Sequence, residues 1–219
     1  MNLPPTALGL FTAVCLLGSS LAHASSASLA VKGSVAPVAC TIAFNEGGAV
    51  NFGAITVAAN DDYTLLPAQN LTLAIDCPNP TLLAIRVYPR ATATIADDLA
   101  GQLNTTPRWV TPLTHDGRAV GGYTLRFDTA TQIGDGDRVT PLSRNATAVV
   151  WGINNDLPLT SVSGGLRQLA WGPTTQAAAY VNIRSALTLQ AVLERRSQLP
   201  APGQDLALAG HSTFLLEYL

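Results

Sequence analysis

The stretch STFLLEYL, residues 212–219, decides the fold class. Side chains alternate between the two faces of a strand, so Phe214, Leu216 and Tyr218 share one face if this stretch is extended. A strand this apolar has to be buried on at least one face or covered by a partner. The segment therefore predicts a β-strand that borders an apolar surface.

Strand-like runs of the same kind recur along the chain. They are rich in β-branched residues, are separated by Gly, Pro and Asp turn signals, and include VACTIAF (38–44), AVNF (49–52), NLTLAIDC (70–77), TLLAIRVY (81–88), TAVVWGI (147–153) and AYVNIRSALTLQAVL (179–193). Pro78-Asn79-Pro80 reads as a turn between two of them, and residues 96–114 read as a loop-rich insertion. This pattern predicts an all-β sandwich or barrel.

Composition excludes one class of partner. Only 12% of the residues are charged and the formal net charge is −2, so the chain has no basic face for nucleic acid. Residues 1–24 contain the apolar run 7–17 and end in Ala22-His23-Ala24, which predicts a signal peptide cleaved between Ala24 and Ser25. That run is too short to span a bilayer comfortably, and no long apolar run follows, so we expect no transmembrane segment in the mature chain.

Two cysteines remain after cleavage, Cys40 and Cys77. An even pair in an exported chain favours a disulfide, because compartments outside the cytoplasm are oxidising. A metal site is the competing interpretation, but neither cysteine belongs to a C-x-x-C pair and the mature chain has only His115 and His211. We expect neither a metal nor another cofactor.

The sequence contains no recognisable catalytic motif. Loop aspartates beside glycine are typical of turns, although paired carboxylates also serve glycoside hydrolysis and GDGDR (134–138) resembles part of a calcium loop. The chain has three tryptophans, Trp109, Trp151 and Trp171. We favour buried core positions for them, and a sugar-binding platform is the alternative. We expect a protein that is not an enzyme.

Features at both ends of the chain, taken together, resemble the subunits of chaperone–usher pili. Residues 28–35 place a glycine among alternating apolar residues, Cys40 lies near the start of the fold, and 49–53 reads AVNFG. The chain ends in a strand with a penultimate tyrosine, Tyr218. The resemblance covers roughly 28–87 and 185–219; where these subunits often carry a glycine, this chain has Leu206.

The resemblance implies an immunoglobulin-like, pilin-type sandwich that lacks one strand and is completed by a neighbour, the mode of binding called β-augmentation. It implies a signal peptide at 1–24, a donor segment at 25–36 and a sandwich domain at 37–219 with a long middle insertion. The donor side chains would be Leu29, Val31, Gly33 and Val35. The subunit's own groove would be lined by Phe214, Leu216 and Tyr218.

The function implied is that of a structural subunit of a surface fimbria, exported through the periplasm to the cell surface. Its partners would be a periplasmic chaperone, an outer-membrane usher and neighbouring subunits. The alternatives are a first strand at 28–35 that folds onto its own sheet, and a secreted adhesive or carbohydrate-binding module.

Overall fold

The structure of the chain is a computed structural model, which describes residues 39–57, 60, 62–90, 93–160, 167–200 and 206–219. Residues Val38–Leu219 form one compact unit. Two predictions lie outside the described residues and stay predictions. They are the cleavage site, Ala24 and Ser25, and the donor positions, Leu29, Val31, Gly33 and Val35.

Antiparallel strands account for nearly all regular structure in the described residues, which confirms the all-β prediction. The strands are β1 (Thr41–Phe44), β2 (Thr64–Leu65), β3 (Gln69–Pro89), β4 (Thr111–His115), β5 (Arg118–Gly134), β6 (Asp137–Arg138), β7 (Thr140–Asn145), β8 (Gly152–Ile153), β9 (Arg167–Gly172), β10 (Ala179–Leu193) and β11 (Ser212–Tyr218). One short helix, α1 (Asp97–Gln102), and the 3-10 turns Asn45–Gly48, Pro107–Trp109 and Arg196–Gln198 complete the inventory.

The strands form two sheets that share β3. Its first half pairs with β1 and β10, and β5 and β4 extend that sheet beyond β10. Its second half pairs with β11 and β9, and β7 and β8 extend the other sheet beyond β9. The predicted turn at Pro78-Asn79-Pro80 is therefore wrong: these exposed residues continue the strand as it passes from one sheet to the other.

One apolar core lies between the two sheets. The rings of Phe127 on β5 and Trp171 on β9 meet edge to face, with centroids 5.8 Å apart. Trp171 is 1% exposed, and its indole Nε1 donates to Oε1 of buried Gln132 at 3.1 Å. Ser185 donates to the same oxygen, so the polar groups of Trp171, Gln132 and Ser185 are paired with one another. A core position is thus confirmed for Trp171.

Three segments differ from the sequence prediction. Residues 49–52 carry no strand, and the run TAVVWGI is a strand only at Gly152–Ile153, with Val149 and Val150 87% and 78% exposed. The loop-rich stretch 96–114 contains α1 and β4. It has its own small core because α1 buries Leu99 and Ala100 against four neighbours, Ile95, Leu103, Val110 and Val192.

Candidate functional site

Strand β11 uses only one of its two edges for pairing in the described residues. Leu219 N donates to Leu82 O at 3.1 Å and Arg90 N donates to His211 O at 3.0 Å, which fixes the phase of the ladder with β3. Hydrogen-bonded and non-hydrogen-bonded pairs alternate in an antiparallel ladder. The backbone groups of the even-numbered residues of β11, Phe214 and Leu216 among them, therefore point away from β3 toward an edge on which no described strand pairs.

Strand β1 lies across from β11 but belongs to the other sheet. The rings of Phe44 and Phe214 meet edge to face at 4.8 Å between centroids. The backbone N–H of Cys40 donates to the hydroxyl of Tyr218 at 2.9 Å. The two segments therefore run side by side in opposite directions, yet no main-chain ladder joins them among the described residues. We call this junction, defined by 40–44 and 214–218, the seam.

A cleft of about 450 Å³, lined mostly by apolar side chains, opens beside the seam. Phe44 and Phe214 line it, and so do buried core residues such as Leu71, Leu125 and Leu189. Half-buried apolar residues complete the lining on either side, from 50–55 (Val50, Phe52, Ile55) and from 206–208 (Leu206, Leu208). The cleft therefore gives access to the core between the two sheets.

The predicted disulfide between Cys40 and Cys77 is present in the structure. The two residues continue the β1–β3 register, in which Thr41 lies opposite Asp76. The bond thus attaches a strand of only four residues to the long central strand. It holds one side of the seam in position.

Close packing shapes the cleft next to β11. A side chain on Gly210 would approach Leu113 and Tyr123 to 2.7 and 2.8 Å, so only glycine fits there without displacement. The phenol oxygen of Tyr123 lies 2.8 Å from the hydroxyl oxygen of Ser212, and burial raises the pKa of Tyr123. This tyrosine therefore stays neutral and joins β5 of one sheet to β11 of the other.

The three predicted groove residues occupy different environments. Phe214 lines the cleft, and Leu216 is half-buried against the core. Tyr218 is 56% exposed and contacts the seam through its hydroxyl. On the opposite face, Glu217 pairs with Arg86 at 2.8 Å and accepts from the side-chain amide of Gln168 at 2.8 Å.

Several residues that line the cleft carry no sequence signal of a site. Phe44, Tyr123 and Leu208 come from three distant parts of the chain, and each lies in a segment whose pattern indicates only an ordinary strand or loop. The close approach to Leu113 and Tyr123 shows why residue 210 is glycine, and the sequence alone does not. Only the tertiary structure, which brings these distant residues together, identifies them as cleft residues.

The loop aspartates act in turns. Asp116 and Asp135 adopt positive φ angles of 46° and 51°, and each precedes a glycine. The carboxylate of Asp135 accepts from the backbone N–H groups of Val181 and Asn182 at 3.0 and 2.6 Å. Within the described ranges, no group of three His, Cys, Asp or Glu side chains is placed to hold a metal ion, and no helix is long and apolar enough to cross a membrane.

Comparison with known proteins gives one family and a similar structure. Residues 29–138, half of the chain, match the model of the family described as "Protein of unknown function (DUF1120)". No curated protein matches the chain. The crystal structure of the P pilus rod subunit PapA is 12% identical in sequence, covering 82% of this chain and 99% of that chain, with a TM-score of 0.31.

Proposed function

The chain belongs to the DUF1120 family of proteins of unknown function, and we propose that it is an exported structural subunit of a surface pilus. Subunits would polymerise by donating residues 28–35 of one copy to the cleft of the next. A periplasmic chaperone would occupy the cleft beforehand, and an outer-membrane usher would exchange it for the neighbouring subunit.

The seam is the observation that carries this proposal. Beside it lie the edge of β11 on which no described strand pairs, a neighbouring strand of the other sheet and a cleft, lined mostly by apolar side chains, that reaches core residues. Unpaired strand edges and exposed apolar grooves favour association with another chain. An extended segment that pairs with the backbone of Phe214 and Leu216 would place alternate side chains in the cleft.

The donor segment fits this cleft chemically. Leu29, Val31 and Val35 would share one face of an extended segment, as the cleft requires. Gly33 lies between the last two and would permit close approach at a narrow point. We propose that these residues enter a neighbouring copy and that Phe214 and Leu216 receive them, while Tyr218 secures the rim.

Substitutions on the two sides of this contact should fail at different steps. Val31→Asp would bury an unpaired carboxylate in an apolar cleft, so we expect loss of polymers while the chaperone complex is retained. Phe214→Asp should reduce chaperone capture and the amount of subunit recovered. The measurement is copurification with the chaperone, together with the multimer ladder on unboiled gels.

Val150→Asp is the matched control, because Val150 is 78% exposed and lies outside the cleft lining. It should form both the chaperone complex and the ladder. Equal loss of the chaperone complex in the Val31 and Phe214 variants would contradict the proposal, because residues 28–35 would then act as an internal strand.

A further inference from the structure

Two arginines approach a single indole that is not part of the cleft lining. Trp109 ends the turn Pro107–Trp109, and Arg167 begins β9. The guanidinium carbon of Arg167 lies 4.2 Å from the ring centroid of Trp109, and that of Arg108 lies 5.1 Å away. Cation–π contacts of this length hold guanidinium groups in place. Trp109 therefore holds two cations beside the same indole.

The two cations have no carboxylate partner among the described residues, since none lies at ion-pair distance from Arg108 or Arg167. Nearby Arg126 differs, because it pairs with Asp156 at 3.4 Å. Burial lowers the pKa of Arg167, and the charge of Arg108 lowers that pKa further. An anion at this position would relieve the repulsion between the two cations.

The position of the arginines leaves them accessible. Arg108 is exposed, whereas Trp109 and Arg167 are half-buried. One N–H of Arg167 donates to Pro158 O at 2.9 Å, which fixes its orientation. A guanidinium is a planar fork of five donors that matches the oxygens of carboxylate and sulfate groups. We infer that Arg108 and Arg167 bind a carboxylate or sulfate group carried by an acidic polysaccharide.

A long acidic polymer suits this surface better than nucleic acid does. Arg108 is exposed and Arg167 is half-buried, so a repeated acidic group on a polymer can reach the site without being enclosed. Nucleic acid binding depends on many phosphate contacts, and a chain with net charge −2 offers no broad basic surface for them. Binding should therefore depend on these two arginines rather than on total charge.

The test uses the full chain, exported and purified from the periplasm, at about 150 mM salt, where weak long-range attraction is screened. Immobilised polygalacturonate offers carboxylates, dextran sulfate offers sulfates, and neutral dextran offers neither. We expect binding to at least one of the two polyanions and none to neutral dextran. The polyanion that binds identifies the acidic group.

Arg108→Gln and Arg167→Gln should each weaken that binding by at least about tenfold, which is the scale of one charge-assisted hydrogen bond. Arg138→Gln, an exposed arginine on β6, is the control of equal charge change and should bind within about twofold of the parent. Arg108 is exposed, so its variant should fold even if that of half-buried Arg167 does not. An equal loss in Arg138→Gln, equally tight binding to duplex DNA, or no binding to either polyanion would overturn the inference.

Discussion

At the scale of single residues, the hydroxyl oxygen of Tyr218 links β11 of one sheet to Cys40, the residue before β1 of the other. Its hydroxyl accepts from the backbone N–H of Cys40, although 56% of the side chain is exposed. The bond crosses the seam at the end opposite the Phe44–Phe214 contact. The side chain therefore limits how far β1 and β11 can separate at that end.

Tyr218→Phe should remove this hydrogen bond and leave the ring in place. We expect the free energy of unfolding to fall by about 0.5–1 kcal/mol, the usual net value of one such bond. The amide of Cys40 should also exchange its hydrogen faster. Denaturant unfolding and hydrogen exchange measure the two effects.

Tyr88→Phe provides the comparison for that substitution. Tyr88 lies on β3 opposite Thr213, and in the described residues its hydroxyl has no hydrogen-bond partner. Loss of the Tyr88 hydroxyl should leave the free energy of unfolding and the hydrogen-exchange rate of the Cys40 amide nearly unchanged. If both variants behaved alike, the Tyr218 hydroxyl would have no role at the seam.

At the scale of elements, β1 depends on its covalent attachment. It has four residues, pairs only with β3 among the described strands, and alternates between exposed and half-buried positions. A strand this short gains little from burial. The Cys40–Cys77 bond keeps it beside β3 and thereby maintains Phe44 at the cleft.

Replacing both cysteines with serine should destabilise the fold and open the seam. The disulfide closes a loop across 37 residues of sequence separation. The chain-entropy treatment then gives a loss of roughly 3–4 kcal/mol in the free energy of unfolding. Urea unfolding of the exported protein measures the loss, and mass mapping without reduction checks that the parent contains the Cys40–Cys77 peptide pair.

Unchanged stability in the double variant would show that β1 stays in place without the bond. A single Cys40→Ser substitution is a poor substitute, because it leaves Cys77 free to form mixed disulfides. Two free thiols in the parent would contradict the bond itself.

Sequence patterns predicted the presence of the strands better than the residues at which the strands begin and end. Alternation in 70–76 predicted the first half of β3 because each inward side chain is buried there, as for Leu73 and Ile75. The pair of prolines at 78 and 80 suggested a turn, but both lie at an exposed crossing between sheets, where a missing N–H is tolerated. Local signals cannot reveal such a crossing.

The α1 region and the cleft were beyond prediction for a different reason. Helix α1 spans six residues and is stabilised by burial of Leu99 and Ala100 rather than by a long periodic pattern. The cleft combines residues from β1, β3, β5, β10 and 206–214. Among the lining residues, a sequence signal came from β11, because an apolar strand requires burial or a covering partner, and from the phrase AVNFG (49–53).

At the scale of the whole molecule, a chain with an open cleft should be less stable than the same chain with the cleft filled. The cleft exposes half-buried apolar residues beside the β11 edge on which no described strand pairs, and both features lower the free energy of unfolding until a strand covers them. Stability should therefore depend on the concentration of a suitable extended peptide. That dependence distinguishes a subunit that needs a donor from a self-contained binding module.

A variant lacking residues 25–36 should refold poorly alone and better with a peptide of sequence SLAVKGSVA, residues 28–36. A ligand that binds only the folded state at one hundred times its Kd adds about 2.7 kcal/mol to the free energy of unfolding. We expect the unfolding midpoint to rise with peptide concentration, followed by circular dichroism. The same peptide with Val31→Asp should give no rise, because its carboxylate cannot be buried unpaired. A deletion variant that unfolds cooperatively at the midpoint of the full chain, and responds to neither peptide, would instead assign the cleft to a folded, self-sufficient module.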